Sequence, residues 1–287
     1  ASLHAQTVPA QEFEIVVADN RSTDATAAVV AAWAARYPGI RRVYVAEPGV
    51  SRARNAGLAA ARGPVVAFVD DDVLTEPGWL AGVLRAFARW PQAGIVCGRA
   101  DLRLGAPAPW WFGPETASWY STVDFGSEAR ILRDPEEVPW GLNLAMRTDL
   151  AREVGGFAEH LGRSRGNLRS GEDVHLVARI RRAGNPVVYE PGAAVHHIVT
   201  EDRLRLGWLV RRAWDGGLDA LEYQRATGHP YRAGVPAALS RAGLRGWREA
   251  MRRVLRADSI VDALLSELFH RIAAFAVAWN EWEGRRS

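Results

Sequence analysis

GPVVAFVDDD, residues 63–72, decides how this chain is read. Five consecutive apolar residues after a Gly-Pro break predict a short strand buried on both faces. Three carboxylates follow at once. Left alone they repel, and each like-charged pair costs about 1 kcal/mol or more near a protein surface. A divalent cation removes that cost, and hard cations take one or two carboxylates together with phosphate oxygens. Alternation along an extended backbone puts Asp70 and Asp72 on one side and Asp71 on the other. The competing reading is a solvated acidic turn, against which stands the position directly behind an apolar strand.

Outward from this stretch, strands and helices alternate. FEIVVA (13–18) reads as a strand ending in Asp19-Asn20, followed by a helix capped by Ser22 or Thr23 and running to Tyr37. Residues 43–46 form a second short strand, and Ser51 caps a helix to Arg62. Downstream come a helix from Pro77 to Trp90 and a strand over 94–104. The pattern predicts an α/β, Rossmann-like, mainly parallel sheet flanked by helices, with ligands bound beyond the carboxyl ends of the strands. Residues 105–140 are an irregular, aromatic-rich excursion. Regular structure resumes with WGLNLAMR (140–147), a helix near 148–154, a helix from Glu172-Asp173 to Gly184, and strands at 187–189 and 193–198. Beyond 200 the chain reads as helical, broken near Gly216-Gly217 and over 227–236. This divides it into a nucleotide-binding domain, 1–200, and a helical extension, 201–287.

Composition narrows the chemistry. The 287 residues are 48% hydrophobic and 24% charged, which is globular composition. All 36 basic residues are arginine, so reactions that need a lysine amine are excluded: P-loop phosphate binding, Schiff bases and protein-kinase chemistry. One cysteine, Cys97, permits neither a disulfide framework nor a cysteine metal site, and fits a cytoplasmic setting. The net charge of +3 is too small to indicate a nucleic-acid partner.

Four more places carry candidate chemistry. Asp19 and Asn20 end a strand and can hydrogen-bond a base edge or ribose, or make an Asx turn. Arg52 and Arg54 lie at a helix start, where anions bind, or are solvated surface residues. Glu172 and Asp173 open a helix; Asp173 shares its apolar face with Val177 and is a general-base candidate, whereas Glu172 also reads as dipole compensation. In His196-His197, counting by twos from Ala193 and Val195 turns His197 inward.

The stretches FEIVVADNRSTDAT, SRARNAGLAAARGPVVAFVDDD, WGLNLAMRTDLAREVGGF, GEDVHLVARIRRAG and YEPGAAVHH occur in an order that resembles the family 2 glycosyltransferases of the GT-A fold, over residues 5–200. The resemblance implies an enzyme that transfers a sugar with inversion from a nucleoside-diphosphate sugar to a hydroxyl on a carbohydrate, lipid-linked or small-molecule acceptor. It places Asp19 or Asn20 at the base, Arg52 or Arg54 near the nucleotide, and Asp70 and Asp71 near ribose and diphosphate. Asp72 and His197 would hold Mg²⁺ or Mn²⁺, and Asp173 would be the base. Trp110, Trp111, Trp140 and Glu172 are acceptor-side candidates. Members normally open with an apolar strand and a base-contacting loop, whereas this sequence starts in what reads as the following helix, so a longer native protein is expected.

Within 201–287, which holds 15 arginines against 11 acidic residues, Arg241, Arg245, Arg248 and Arg252 form one basic stripe. The stripe reads first as a solvated helix face and otherwise as peripheral contact with the inner face of a membrane, and the apolar run 259–279 packs on the catalytic domain, on lipid, or in a homodimer through the C-terminal helices. The alternatives weighed are a sugar-nucleotide-forming nucleotidyltransferase, a signalling receiver domain, which needs the lysine this chain lacks, and an inactive GT-A-like binding module.

Overall fold

The computed structural model describes residues 2–134, 137–164, 168–227 and 260–283. In chain order the elements are β1 (Ile15–Asp19), α1 (Thr26–Arg36), β2 (Ile40–Tyr44), α2 (Val50–Ala60), β3 (Val65–Val69), β4 (Val73–Thr75), α3 (Trp79–Arg89) and β5 (Ile95–Leu104). Then follow the single turn α4 (Pro114–Ala117), β6 (Arg130–Ile131), β7 (Asn143–Arg147), α5 (Thr148–Glu153), α6 (Glu172–Arg182), β8 (Val187–Val199), α7 (Leu206–Thr227) and α8 (Ile260–Glu283). The residues divide into two compact units. One comprises Ala1–Asp101, Val123–Gly166 and Glu172–His197; the other comprises Leu102–Thr122, Asn167–Gly171 and Ile198–Ser287.

The first unit has the expected α/β architecture, with a sheet that is mixed. β1 and β2 pair in parallel with one another, Asp19 opposite Tyr44. A second, six-stranded sheet runs β3-β7-β5-β8-β4, with β6 on β8. The pairs β3–β7, β5–β7, β4–β8 and β6–β8 are antiparallel. VVAFV of β3 and LAM (144–146) of β7 are apolar throughout, so each reads as a doubly covered strand whatever its direction; an apolar run does not encode orientation. The two strands expected at 187–189 and 193–198 are one, because Pro191-Gly192 continues β8 without a turn. Asn143, buried on β7, joins three elements: its Nδ2 donates to the carbonyls of Arg99 (3.1 Å) and Ala193 (2.8 Å), and its Oδ1 accepts from Trp79 Nε1 (2.8 Å). The large majority of buried polar side chains are satisfied in this way.

Two helix starts differ from expectation. α1 begins at Thr26, where Asp24 Oδ1 accepts from the Thr26 amide at 2.9 Å; Ser22 gives its own amide to Asp19 (2.8 Å) and is thereby drawn off the helix. Ser51 does not cap α2. Its hydroxyl donates to the buried carbonyl of Leu161 at 2.7 Å, and Gly49, at φ 143°, precedes the helix instead.

The second unit packs Trp111, Tyr120, Leu209, Ala213 and Phe269 into its own core. Tyr120 stacks on Trp208 with ring centroids 5.2 Å apart. Buried Asp262 of α8 accepts the amides of Glu115 (2.8 Å) and Thr116 (2.7 Å), capping α4 from a distant helix. The break expected at Gly216-Gly217 does not occur, and α7 runs through it. A Cβ on Gly217 would lie 1.9 Å from the Ala273 carbonyl oxygen, so this glycine serves the close approach of α7 and α8. Gly217→Ala therefore forces the helices apart, and a loss of about 1–3 kcal/mol is expected, read as a lowered urea midpoint. Among the described residues no helix is long and apolar enough to cross a membrane. The arginine stripe 241–252 lies outside the described residues.

Candidate active site

The site is built in the first unit, where β3 ends in Asp70-Asp71-Asp72. The β4–β8 register sets Val73 opposite His197, so the residue before Val73 comes beside that imidazole. His197 Nε2 lies 3.5 Å from Asp72 Oδ2, and His197 is buried. His196 points the other way, to Glu76.

The second half of the site is the start of α6. Glu172 and Asp173 are 4% and 6% exposed. Asp173 Oδ2 accepts the Gly141 amide at 2.6 Å and Oδ1 accepts the Val174 amide at 2.7 Å. A carboxylate offers about four lone-pair positions, so both oxygens keep acceptor capacity. Glu172 Oε2 has no hydrogen-bond partner among the described residues. Burial pushes the Glu172 carboxyl up to about 7, neighbouring Asp173 pushes the same way, and Arg54 opposes them.

Arg54 joins the halves. Its Nη2 lies 2.7 Å from Asp70 Oδ1 and its Nη1 lies 2.6 Å from Glu172 Oε1. One guanidinium thus spans the distance between the aspartate triplet and the Glu-Asp helix start. Burial works against its charge, but Asp70, Glu172 and Asp173 hold it firmly protonated. Arg52, by contrast, is paired with Glu47 (3.1 Å) and Glu159 (3.3 Å).

Asp19 and Asn20 are already engaged. Asp19 is buried and accepts from Ser22 and from Arg42 Nε (2.7 Å); the Ser22 and Arg42 contacts keep its carboxyl below the ordinary carboxylate value. Asn20 spends its amide on Val45 O (3.2 Å), Glu47 O (2.7 Å) and the Gly49 amide (2.7 Å). Among the tryptophans, Trp140 packs against the core of the first unit, while in the second unit Trp111 is buried and Trp110 is 82% exposed.

Two contributors escaped the sequence reading. Gly141 supplies the amide on Asp173, and its only signal was a glycine inside WGLN. Phe157 lies with its ring centroid 5.4 Å from the Arg54 guanidinium carbon, held by paired bonds with Asn55, 2.8 Å each. The Asn beside Arg54 in SRARN was the available cue.

As for a cation, no group of three or more His, Cys, Asp or Glu gathers to hold a metal ion among the described residues. The pair Asp72 and His197 offers one carboxylate and one imidazole. That set fits Mg²⁺ or Mn²⁺ bound jointly with a substrate diphosphate, since such ions take few protein ligands and fill their shell with phosphate and water.

In fold the chain is a glycosyltransferase of the GT-A type. Mannosyltransferase PcManGT from Pyrobaculum calidifontis, solved with GDP-Man and Mn²⁺, superposes with a TM-score of 0.59 at 20% identity, over 98% of this chain and 81% of that one. Residues 1–155 match the family described as glycosyl transferase family 2, and the chain belongs to that family. Succinoglycan biosynthesis protein ExoM of Rhizobium meliloti is 30% identical over 219 residues, 75% of this chain and 67% of that protein. Glucosyl-dolichyl phosphate glucuronosyltransferase of Haloferax volcanii is 31% identical over 173 residues, 58% of this chain; the chain spans 54% of its length.

Proposed function

We propose that this chain transfers a sugar from a nucleoside-diphosphate sugar to an acceptor hydroxyl with inversion at the anomeric carbon. The observation that carries the reading is the double ion pair of Arg54, which sets Asp70 and Glu172 one guanidinium apart. The diphosphate then has its anchor and the acceptor its base on one side of the first unit.

Asp173 is the general base. Its carboxylate is aimed by the Gly141 and Val174 amides and retains a lone pair for the acceptor O–H. As the acceptor oxygen bonds to the anomeric carbon, its proton passes to Asp173 and the bond to the phosphate oxygen breaks on the opposite face. Asp70 and Asp71 lie toward ribose and diphosphate, and Asp19 and Asn20 shape the wall that meets the base. Mg²⁺ or Mn²⁺ held by Asp72 and His197 supplies, when bound, positive charge that stabilises the departing diphosphate. Trp140, packed against the core of the first unit, is the acceptor-side aromatic of that unit. The chain works in the cytoplasm, meeting the inner membrane face or a second copy through α8, whose Ile260, Leu264, Leu268 and Phe275 are exposed.

Thermal melting with Mn²⁺ and UDP, GDP, ADP, CDP or dTDP tests the reading. At least one diphosphate raises the melting temperature only when Mn²⁺ is present. Saturation at 100 times Kd adds about 2.7 kcal/mol, a rise of several degrees. No rise with any diphosphate overturns donor binding.

A further inference from the structure

We infer that Arg54 is a positioning residue that locks the aspartate loop after β3 to the catalytic start of α6, rather than a ligand of the nucleotide; this rests on the reading above. Three observations converge on it. The first is the pair of short contacts: a fork of two nitrogens, one on Asp70 and one on Glu172, 16 and 118 residues away in sequence. Only a planar guanidinium serves two carboxylates at fixed angles in this way. The second is how the fork is walled in. The Phe157 ring stands 5.4 Å from its carbon, and Asn55, the next residue of α2, holds Phe157 in place by bonds in both directions. The Gly156 before it, at φ 64°, has Asn55 Oδ1 only 2.5 Å from where a Cβ would stand. The third is Gly141. A Cβ there would lie 2.7 Å from Arg54 Nη1 and 2.9 Å from both Nη2 and Cζ, and the same residue's amide donates to Asp173. The peptide that aims Asp173 therefore rests against the guanidinium that holds Glu172.

The consequence is mechanical and electrostatic. Side chains from α2 and the loop after β3, the backbone of the 140–142 segment, and the start of α6 meet at one cation. Losing it frees Asp70 and Glu172 to repel, and lets the amide on Asp173 drift. A guanidinium whose two terminal nitrogens each hold a carboxylate, in a 10%-exposed side chain, is not offered to a phosphate.

The experiment uses the full chain and follows release of nucleoside diphosphate from UDP-glucose, UDP-N-acetylglucosamine or GDP-mannose, whichever the wild type turns over. Arg54→Lys and Arg54→Gln lower kcat at least tenfold and about 100-fold, because a lysine ammonium reaches one carboxylate and a glutamine neither well. KM for the sugar nucleotide stays within about threefold, and the Mn²⁺-dependent melting shift persists. With a positive charge gone, the acidic limb of the kcat–pH profile moves to higher pH in Arg54→Gln and much less in Arg54→Lys. Should Arg54→Gln not fold, Gly141→Ala stands in: its methyl pushes the guanidinium aside and gives the same split, a lower kcat at unchanged KM. A KM raised tenfold or more with kcat preserved makes Arg54 a donor ligand and overturns the inference while leaving the transferase reading intact. An unchanged pH limb with unchanged kcat also overturns it. Absence of any melting shift in the wild type instead sinks the transferase reading itself.

Discussion

Asp173→Asn lowers sugar transfer about 10²–10⁴-fold, the range spanned by a positioned general base, while the Mn²⁺-dependent melting shift with the diphosphate survives. The argument starts from the two amides that hold this side chain. Asparagine is nearly isosteric, and its single oxygen can keep the Val174 amide, so the first turn of α6 keeps this bond. The new NH₂ then faces the Gly141 amide, which loses its acceptor. That mismatch leaves a buried donor unpaired and costs about 1–3 kcal/mol of stability. It falls far short of the effect on turnover, because an amide cannot take the acceptor's proton at all. On the proposed reading the donor side rests on Asp72, His197 and the end of β3, while the described bonds of Asp173 run to Gly141 and Val174, so donor binding is expected to persist. Transfer at the wild-type rate by Asp173→Asn removes this residue as the base. A melting shift lost together with activity means instead that the start of α6 builds the donor pocket.

What could be read beforehand divides along a physical line. β3 was legible to the residue because three signals are local: a Gly-Pro break, five apolar positions and an abrupt run of charge. The inward face of His197 was legible because alternation in an extended strand is local too, and β8 is extended through that position. Partners far apart in sequence were not. Nothing near Arg54 says that it meets Glu172, and nothing near Gly217 says that Ala273 lies against it. At Gly217 the local rule, a helix break at paired glycines, gave way to tertiary packing; at Arg54 the local rule, anion binding at a helix start, carries no word of the two carboxylates it pairs. Asn20 follows the same pattern: an Asx residue at a strand end reads equally as ligand or brace, and the 45–49 loop takes all of its hydrogen-bonding capacity except one lone pair. Strand direction was illegible for a different reason, since burial on both faces erases the alternation that distinguishes one pairing from another.

Asp72→Asn and His197→Asn each raise the Mn²⁺ concentration needed for half of the melting shift, measured at saturating diphosphate, by about 100-fold. Removing even the outer partners of a metal ligand typically costs about 10–100-fold in affinity, so a ligand itself costs no less. Asp72 lies in the turn just before β4 and His197 on β8, and β4–β8 pairing is made by backbone groups that neither substitution removes. Asparagine at 72 keeps the shape and one oxygen but lacks the charge that draws a divalent ion. Asparagine at 197 is smaller than the imidazole, leaves a small void in a buried spot, and replaces a nitrogen ligand with a weaker amide oxygen. Fold loss is therefore the lesser effect in both, and Mn²⁺ dependence the greater. The double variant separates the two possible meanings of the 3.5 Å contact. If Asp72 and His197 ligate one ion, the second substitution adds little once the first has emptied the site, so the effects are strongly non-additive. If they form only a structural ion pair, the singles and the double lose stability alike while the Mn²⁺ midpoint stays where it was. That outcome would move the cation elsewhere along the aspartate triplet, with Asp70 and Asp71 as the remaining carboxylates.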